Sequence, residues 1–196
     1  MKKNTNPAAN GKRGMSTKAL AYCALLAALS VVFARLIIPM PNASTRFSIE
    51  AVPIFISGML FGPMAGGLVG FSADIVGCLF SGYGFNPIFS IPPILYGVFA
   101  GIFRRYLAET EKMNILRLII AFLPPIVFGS ILYQSAALAF IYNSEGSFWL
   151  SYKFFLSTRS IQFAVTMALD VVIIFYLFKT GLFTRLGVWP PKSKNT

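Results

Sequence analysis

The chain has 196 residues, of which 56% are hydrophobic and only 12% are charged, and its mean hydropathy is +0.70. Soluble domains are about 45–50% apolar and about 25% charged, so this composition excludes an ordinary soluble domain, and its high hydrophobicity also excludes a disordered chain. The net charge of +11 comes from Lys and Arg residues scattered between apolar runs. We interpret them as the basic flanks of membrane spans and expect no nucleic-acid binding.

Six apolar segments follow a polar, basic N-terminal stretch. They lie at about 19–38, 49–62, 64–80, 87–103, 115–142 and 154–178. Because a membrane-spanning helix takes about 20 residues, they predict an all-α fold, an integral membrane bundle of six transmembrane helices. The second to fourth segments are short and rich in Gly and Pro. This pattern indicates close helix packing or irregular backbone that lines a ligand cavity.

The basic residues predict the orientation of the bundle. With the N-terminus inside, most of the 17 Lys and Arg residues fall in the N-terminal tail, the fourth loop and the C-terminal tail, so the positive-inside rule favours an N-in/C-in topology. We therefore expect three regions. They are a disordered basic cytoplasmic tail at 1–17, a transmembrane substrate-binding domain at 18–185 and a cytoplasmic C-terminal tail at 186–196.

Residues that commonly carry out catalysis are scarce. The chain has no histidine, and its two cysteines, Cys23 and Cys78, lie inside apolar runs. The sequence also has no phosphate-binding loop of the G-x-x-x-x-G-K-[ST] type, no G-x-S-x-G and no C-x-x-C. We therefore predict that the chain is not an enzyme, binds no metal or cofactor, and does not hydrolyse ATP itself.

Polar residues inside the predicted spans are the strongest candidates for a binding site, because an ionisable side chain costs about 2.5–3.5 kcal/mol at the centre of a membrane helix. Asp74 lies in the third segment. Arg159 and Gln162 are three residues apart and share one face of the sixth. Arg35 lies near the outer end of the first segment, and Arg46 lies in the first outer loop. The alternatives are a structural ion pair between Asp74 and Arg159, or snorkelling of Arg35 to the interface.

Further candidates surround this outer polar cluster. Asn86 precedes the fourth segment, and Phe61, Phe89 and Tyr96 are among the aromatic residues that could enclose a flat ring. Asp170 lies nearer the inner side, and we interpret it chiefly as a helix–helix contact. Basic groups at the mouth suit an anion, a carboxylate suits an N–H pair, and aromatic walls suit a heterocycle. Folates fit these terms well, and flavins or thiamin derivatives fit less well.

From about residue 15 to 185, the chain resembles the substrate-binding S component of an energy-coupling factor (ECF) vitamin transporter, most of all the folate type. The first segment contains the small-residue motif Ala24-x-x-x-Ala28. The run FSIEAVPIFISGMLFGPMAGGLVGFSADIVGCL is similar to the second and third helices of that family, and GFNPIFSIPPILYGVFAGI is similar to the fourth. The pattern R-x-x-Q at Arg159–Gln162 resembles the start of the sixth.

The resemblance implies a six-helix subunit of the cell membrane that binds its vitamin near the outer surface. Ala24 and Ala28 would dock on a transmembrane coupling protein, and two ATPase partners would hydrolyse ATP while the subunit topples and releases the vitamin inside.

We also expect specific roles for the binding residues in the folate complex. Asp74 is expected to accept hydrogen bonds from the pterin, with Gln162 and Arg159 close to the ring. Arg35 and Arg46 are expected to face the glutamate carboxylates, and Phe61 and Phe89 are the stacking candidates.

The sequence leaves three other hypotheses to compare. The same architecture could bind riboflavin, thiamin or a queuosine precursor. A small membrane enzyme, such as a lipid-modifying transferase, would need a cytoplasmic acid or histidine cluster, which the sequence lacks. A stand-alone secondary carrier is disfavoured because no inverted repeat and no proton-relay chain is evident.

Overall fold

The computed structural model describes residues 15–35, 38–39, 46–81, 84–109, 114–142 and 146–189. The helices within these ranges are α1 Thr17–Phe33, α2 Ala51–Phe61, α3 Pro63–Ser81, α4 Pro87–Ile102, α5 Arg104–Ala108, α6 Ile115–Pro124, a π-helical segment Pro125–Tyr133, α7 Gln134–Ile141, α8 Phe148–Lys179 and α9 Leu182–Arg185. Two-residue strands, β1 Ile38–Pro39 and β2 Arg46–Phe47, pair antiparallel between α1 and α2. The rest of the described secondary structure is helical, so the prediction of a helical bundle is confirmed.

Each predicted apolar segment contains a helix, but two boundaries differ from the prediction. Helix α1 ends at Phe33, because the chain turns at Ala34 and Arg35 and then enters β1. Helix α8 begins at Phe148, six residues before the predicted start. The residues between Phe148 and Lys153 are mostly aromatic or polar, and they extend the helix although their hydropathy is low.

Three continuous helical stretches are long and apolar enough to cross a membrane: Pro63–Phe80, Ile115–Ile141 and Phe148–Lys179. The helices Thr17–Phe33, Ala51–Phe61 and Pro87–Ile102 are apolar but shorter. Length and composition therefore agree with a multi-pass membrane protein.

Helices α2, α3 and α4 pack most closely, and glycines make this possible. A Cβ atom at Gly97 of α4 would collide with the backbone carbonyl of Gly66 and lie 2.8 Å from the nitrogen of Gly67. A Cβ atom at Gly58 of α2 would likewise collide with the backbone carbonyl of Gly97. The three backbones thus meet directly, as expected where small residues line membrane helix interfaces.

A tight turn connects two of these helices. Helix α2 ends at Phe61, and the next residue is Gly62, whose φ of +100° favours glycine. Pro63 then begins α3, a position where its missing N–H has no cost. The turn brings α3 directly back along α2.

The π-helical segment interrupts the long rod that runs from Ile115 to Ile141. It begins where Pro124 and Pro125 remove two backbone donors from the helical ladder. Gly129 of this segment fits against Pro92 and Leu95 of α4. The segment therefore packs on the irregular, proline-containing part of α4.

The core is built on aromatic contacts between neighbouring helices. Phe55 of α2 stacks on Phe122 of α6 with ring centroids 3.8 Å apart, and Tyr96 of α4 meets the same ring edge-on at 6.2 Å. At the C-terminal end, Trp189 packs edge-on against Phe178. Residues up to 189 of the predicted C-terminal tail thus return to the bundle.

Candidate ligand-binding site

The first polar group surrounds Asp74 and joins α3 to α4 and to the end of α1. The Ser90 hydroxyl donates a hydrogen bond to Oδ2 of Asp74 at 2.5 Å. Arg35 is exposed and donates from Nη2 to the carbonyl of Gly77 at 2.8 Å. Asp74 and Arg35 both act electrostatically on the Cys78 thiol. We call Arg35, Asp74, Cys78 and Ser90 the Asp74 group.

Two more predicted residues adjoin this group at the start of α4. Asn86 is the N-cap residue, and its Oδ1 accepts a hydrogen bond from the backbone N–H of Ile88 at 3.1 Å. The backbone of Asn86 also forms a hydrogen bond with the Cys78 thiol. Phe89 is partly buried and immediately precedes Ser90. The structure therefore brings Arg35, Asp74, Asn86 and Phe89 into one region.

The second polar group surrounds Tyr96, deeper along α4. The Tyr96 hydroxyl is 3.1 Å from Oγ of Ser130 in the π-helical segment, and both residues are buried. Asp170, Glu50 and Arg159 all act electrostatically on this hydroxyl. We call these five residues the Tyr96 group.

Helix α8 supplies the second group with a buried polar row. Gln162, Thr166 and Asp170 lie four residues apart, so they follow one face of the helix. The Thr166 hydroxyl donates back to the carbonyl of Gln162 at 3.1 Å. The Arg159 guanidinium lies 5.7 Å from the centroid of the Phe163 ring, at cation–π distance.

The two groups lie on the same helix, since Ser90 and Tyr96 are both in α4. Six residues separate them, which corresponds to about 9 Å along the axis. The same spacing turns the helix by about 600°, so the two groups lie on faces of α4 about 120° apart. The Asp74 group offers a carboxylate near an exposed arginine, and the Tyr96 group offers a tyrosine hydroxyl, an arginine and a buried carboxylate.

The structure does not bring every predicted residue together. Phe61 stacks on Tyr22 of α1 with centroids 6.0 Å apart, at the opposite end of α2 from Glu50 and about 16 Å from it along the helix axis. Phe61 therefore lies apart from both polar groups. The backbone of Arg46 forms part of β2, but its side chain lies outside the described residues.

Ala24 and Ala28 lie on a free face of α1. Both are exposed, and so are Leu20, Leu25 and Val32 on the same helix. Helix α1 packs on α2 and α3 through its other side, where Cys23 and Ser30 are buried. A second helix could approach this face closely because alanine adds little bulk.

Sequence reasoning missed Ser90 and Ser130 and gave Asp170 little weight. A serine in an apolar helix is usually satisfied by the carbonyl one turn back, as the bond from Ser57 to Ile54 illustrates. No local pattern therefore indicates that Ser90 reaches Asp74 or that Ser130 reaches Tyr96. The four-residue spacing from Gln162 to Asp170 was the available signal for the row on α8.

The sequence profile of the family described as "ECF-type riboflavin transporter, S component" matches residues 14–182. The chain therefore belongs to the ECF S-component family. This is a family of transporter subunits, not of enzymes, which agrees with the scarcity of catalytic residue types.

Among similar proteins, the Folate transporter FolT of Clostridium novyi (strain NT) is 28% identical over 101 residues, which are 51% of this chain and 56% of that protein. The Uncharacterized protein MG098 homolog of Mycoplasma pneumoniae (strain ATCC 29342 / M129 / Subtype 1) is 38% identical over 69 residues, which are 35% of this chain and 14% of that protein. The alignments thus cover less than two thirds of either relative.

A crystal structure of FolT bound with folic acid resembles this chain over most of its length. The two superpose with a TM-score of 0.67 and 27% sequence identity, over 83% of this chain and 94% of that one. The shared fold is therefore that of a membrane helical bundle.

Proposed function

We propose that this chain is the folate-binding subunit of an ECF-type importer. The observation that carries the proposal is its similarity to FolT bound with folic acid across 83% of the chain. The two polar groups on α4 support it, because folate combines a heterocyclic head rich in N–H donors with a glutamate tail that carries carboxylates.

The proposed roles follow the chemistry of the two groups. Asp74 accepts hydrogen bonds from the pterin, and Gln162 and Arg159 contact the ring. Arg35 and Arg46 face the tail carboxylates, with which an arginine forms short, charge-assisted hydrogen bonds. Asn86, Phe89 and Tyr96 line the same region, while stacking by Phe61 requires that the ligand approach the α1–α2 contact.

The proposal includes an orientation and a partner. Six spans cross the cell membrane with both termini inside, and the site opens outward. The exposed Ala24 and Ala28 face of α1 docks on a transmembrane coupling protein. Two ATPase subunits then drive release of folate into the cell, since this chain has no phosphate-binding loop of its own.

A second candidate ligand is riboflavin, because the matching family profile is named for the riboflavin transporter. A flavin also offers a flat heterocycle with polar edges, but it carries no carboxylates. Arg35 and Arg46 would then lack their proposed role, so the two ligands predict different mutational results.

Calorimetric titration of the purified, detergent-solubilised chain with folic acid, riboflavin and thiamin tests the proposal. We expect tight one-to-one binding of folic acid and no heat from the other two vitamins. Binding of riboflavin alone would keep the family assignment and refute the folate assignment. The variant Arg35→Gln distinguishes the two ligands further, because we expect it to lower the affinity for folic acid and to leave the affinity for riboflavin unchanged.

Replacing Asp74 with asparagine is expected to weaken folic acid binding by about 10- to 100-fold. A hydrogen bond to a charged group contributes about 1.5–3 kcal/mol, and asparagine keeps the size of the side chain but not its charge. Calorimetry on Asp74→Asn measures the change. The control is Glu109→Gln, because Glu109 is exposed and pairs with Arg117 at 3.2 Å, and exposed pairs contribute little. Native affinity in Asp74→Asn would refute the pterin role of Asp74.

A further inference from the structure

Asp170 is a buried carboxylate whose bonding is incomplete. Only 1% of the residue is exposed, and its Oδ1 has no hydrogen-bond partner among the described residues. Asp170 also makes no ion pair with any side chain in the described ranges. Leaving a buried acceptor unsatisfied costs about 1–3 kcal/mol, and more when the group is charged. Because replacing buried ionic groups with well-packed apolar residues is often neutral or stabilising, packing alone does not account for a carboxylate here.

The buried polar row on α8 runs from a residue that is proposed to contact the ligand to Asp170. Gln162 and Thr166 lie one and two turns before Asp170 on the same buried face of α8. Gln162 is one of the residues proposed to contact the heterocycle. The rise of the helix places Asp170 about 12 Å below it, at the end of the row.

Asp170 lies within electrostatic range of Tyr96, a residue predicted for the site. Asp170 and Arg159 both act on the Tyr96 hydroxyl, although they lie on different turns of α8. Glu50 acts on Tyr96 and also on Asp170. Asp170 thus shares its electrostatic surroundings with the other members of the Tyr96 group.

We propose that Asp170 is a ligand-binding residue, which accepts a hydrogen bond from an N–H group of the bound heterocycle at the deep end of the α8 row. An ionised carboxylate is an acceptor only, with about four lone-pair positions, so it suits the amino and ring N–H donors of a pteridine. Asp74, whose Oδ2 already accepts from Ser90, keeps its proposed role and accepts from a different N–H group of the same pteridine. This inference rests on the proposed function and adds a residue to its site.

The first test compares Asp170→Asn with Ser135→Ala. Ser135 is the matched control because it is fully buried and its Oγ also lacks a partner among the described residues, but it lies on α7 and is not assigned to the site. We expect Asp170→Asn to weaken folic acid binding by at least 10-fold, while its melting temperature without ligand stays at or above that of wild type. Ser135→Ala should bind like wild type. Native affinity in Asp170→Asn would overturn the proposal.

A second measurement uses the wild-type chain and does not depend on a variant that folds. The sequence contains only two aspartates, Asp74 and Asp170, so labelling aspartate with ¹³C at the carboxyl carbon gives two signals. Asp74→Asn assigns them. With folic acid labelled with ¹⁵N in its pteridine, solid-state NMR then detects dipolar coupling between ligand nitrogen and a nearby carboxyl carbon. We expect coupling to Asp170, and its absence at saturating folic acid would overturn the proposal.

The outcomes separate this inference from the proposed function. If the wild-type chain does not bind folic acid, the proposed function is wrong, and the proposed role of Asp170 is wrong as well. If wild type binds but Asp170→Asn only lowers the melting temperature and the Asp170 signal shows no coupling, Asp170 is a structural contact. The function then stands without it.

Discussion

Alanine at Gly97 is expected to destabilise the bundle strongly for the addition of a single methyl group. The new Cβ collides with the carbonyl of Gly66, which is backbone and cannot turn away. Overpacking a core typically costs about 1–3 kcal/mol, and we expect the upper end of that range because α2, α3 and α4 must all shift. Thermal unfolding in detergent, followed by tryptophan fluorescence, measures the loss, and the yield of monodisperse chain should fall with it.

Gly77→Ala is the matched control. Gly77 also lies in α3, but a Cβ there meets no atom within 4 Å. Since alanine favours a helix over glycine by up to about 1 kcal/mol, this variant should melt at the wild-type temperature or above it. Equal melting of Gly97→Ala and Gly77→Ala would contradict the close backbone packing of α3 and α4.

The second large effect is expected in transport and not in binding. Ala24→Trp should abolish folate uptake by cells that carry the complete importer, while the purified variant binds folic acid as wild type does. The indole would stand on the exposed face of α1 and hold a partner helix away. Uptake of radiolabelled folic acid and calorimetry on the same variant give the two readouts.

A tryptophan on a different lipid-facing surface controls for bulk alone. Leu123 is 51% exposed on α6, a helix that packs against α4, α5 and α8 and not against α1. Leu123→Trp should therefore leave uptake intact. If Ala24→Trp also takes up folate normally, the proposed docking face of α1 is wrong. If Ala24→Trp fails to bind folic acid, the substitution has damaged the subunit itself. The variant Ala28→Trp is then tested in its place.

The sequence allowed the helices to be predicted because hydropathy alone decides where a chain can cross a membrane. Each of the six apolar segments contains a helix, and glycines such as Gly58, Gly66 and Gly97 in the second to fourth segments do mark the closest packing. The start of α8 was predicted too late, because residues such as Trp149 and Tyr152 favour a membrane interface and do not register as apolar. Helix formation depends on backbone hydrogen bonds, which continue through them.

The contacts of the site were harder to predict, since they depend on how helices rotate against each other. Asp74 and Ser90 are 16 residues apart and Tyr96 and Ser130 are 34 apart, and no spacing rule connects them. Arg159 and Gln162 were predictable as a pair because they share one helix face. Asp170 belonged to the same face, but its position near the inner side favoured a packing role.

The π-helical segment preserves the angular phase of the rod across an irregular stretch. Each residue of an α-helix turns the chain by about 100°, and π-turns accommodate an extra residue without breaking the rod. Helices α6 and α7, on either side of the segment, accordingly both pack against α4 and α8. Deleting one residue between Pro125 and Tyr133 would let the segment relax toward regular winding while α6 and α7 keep these shared neighbours.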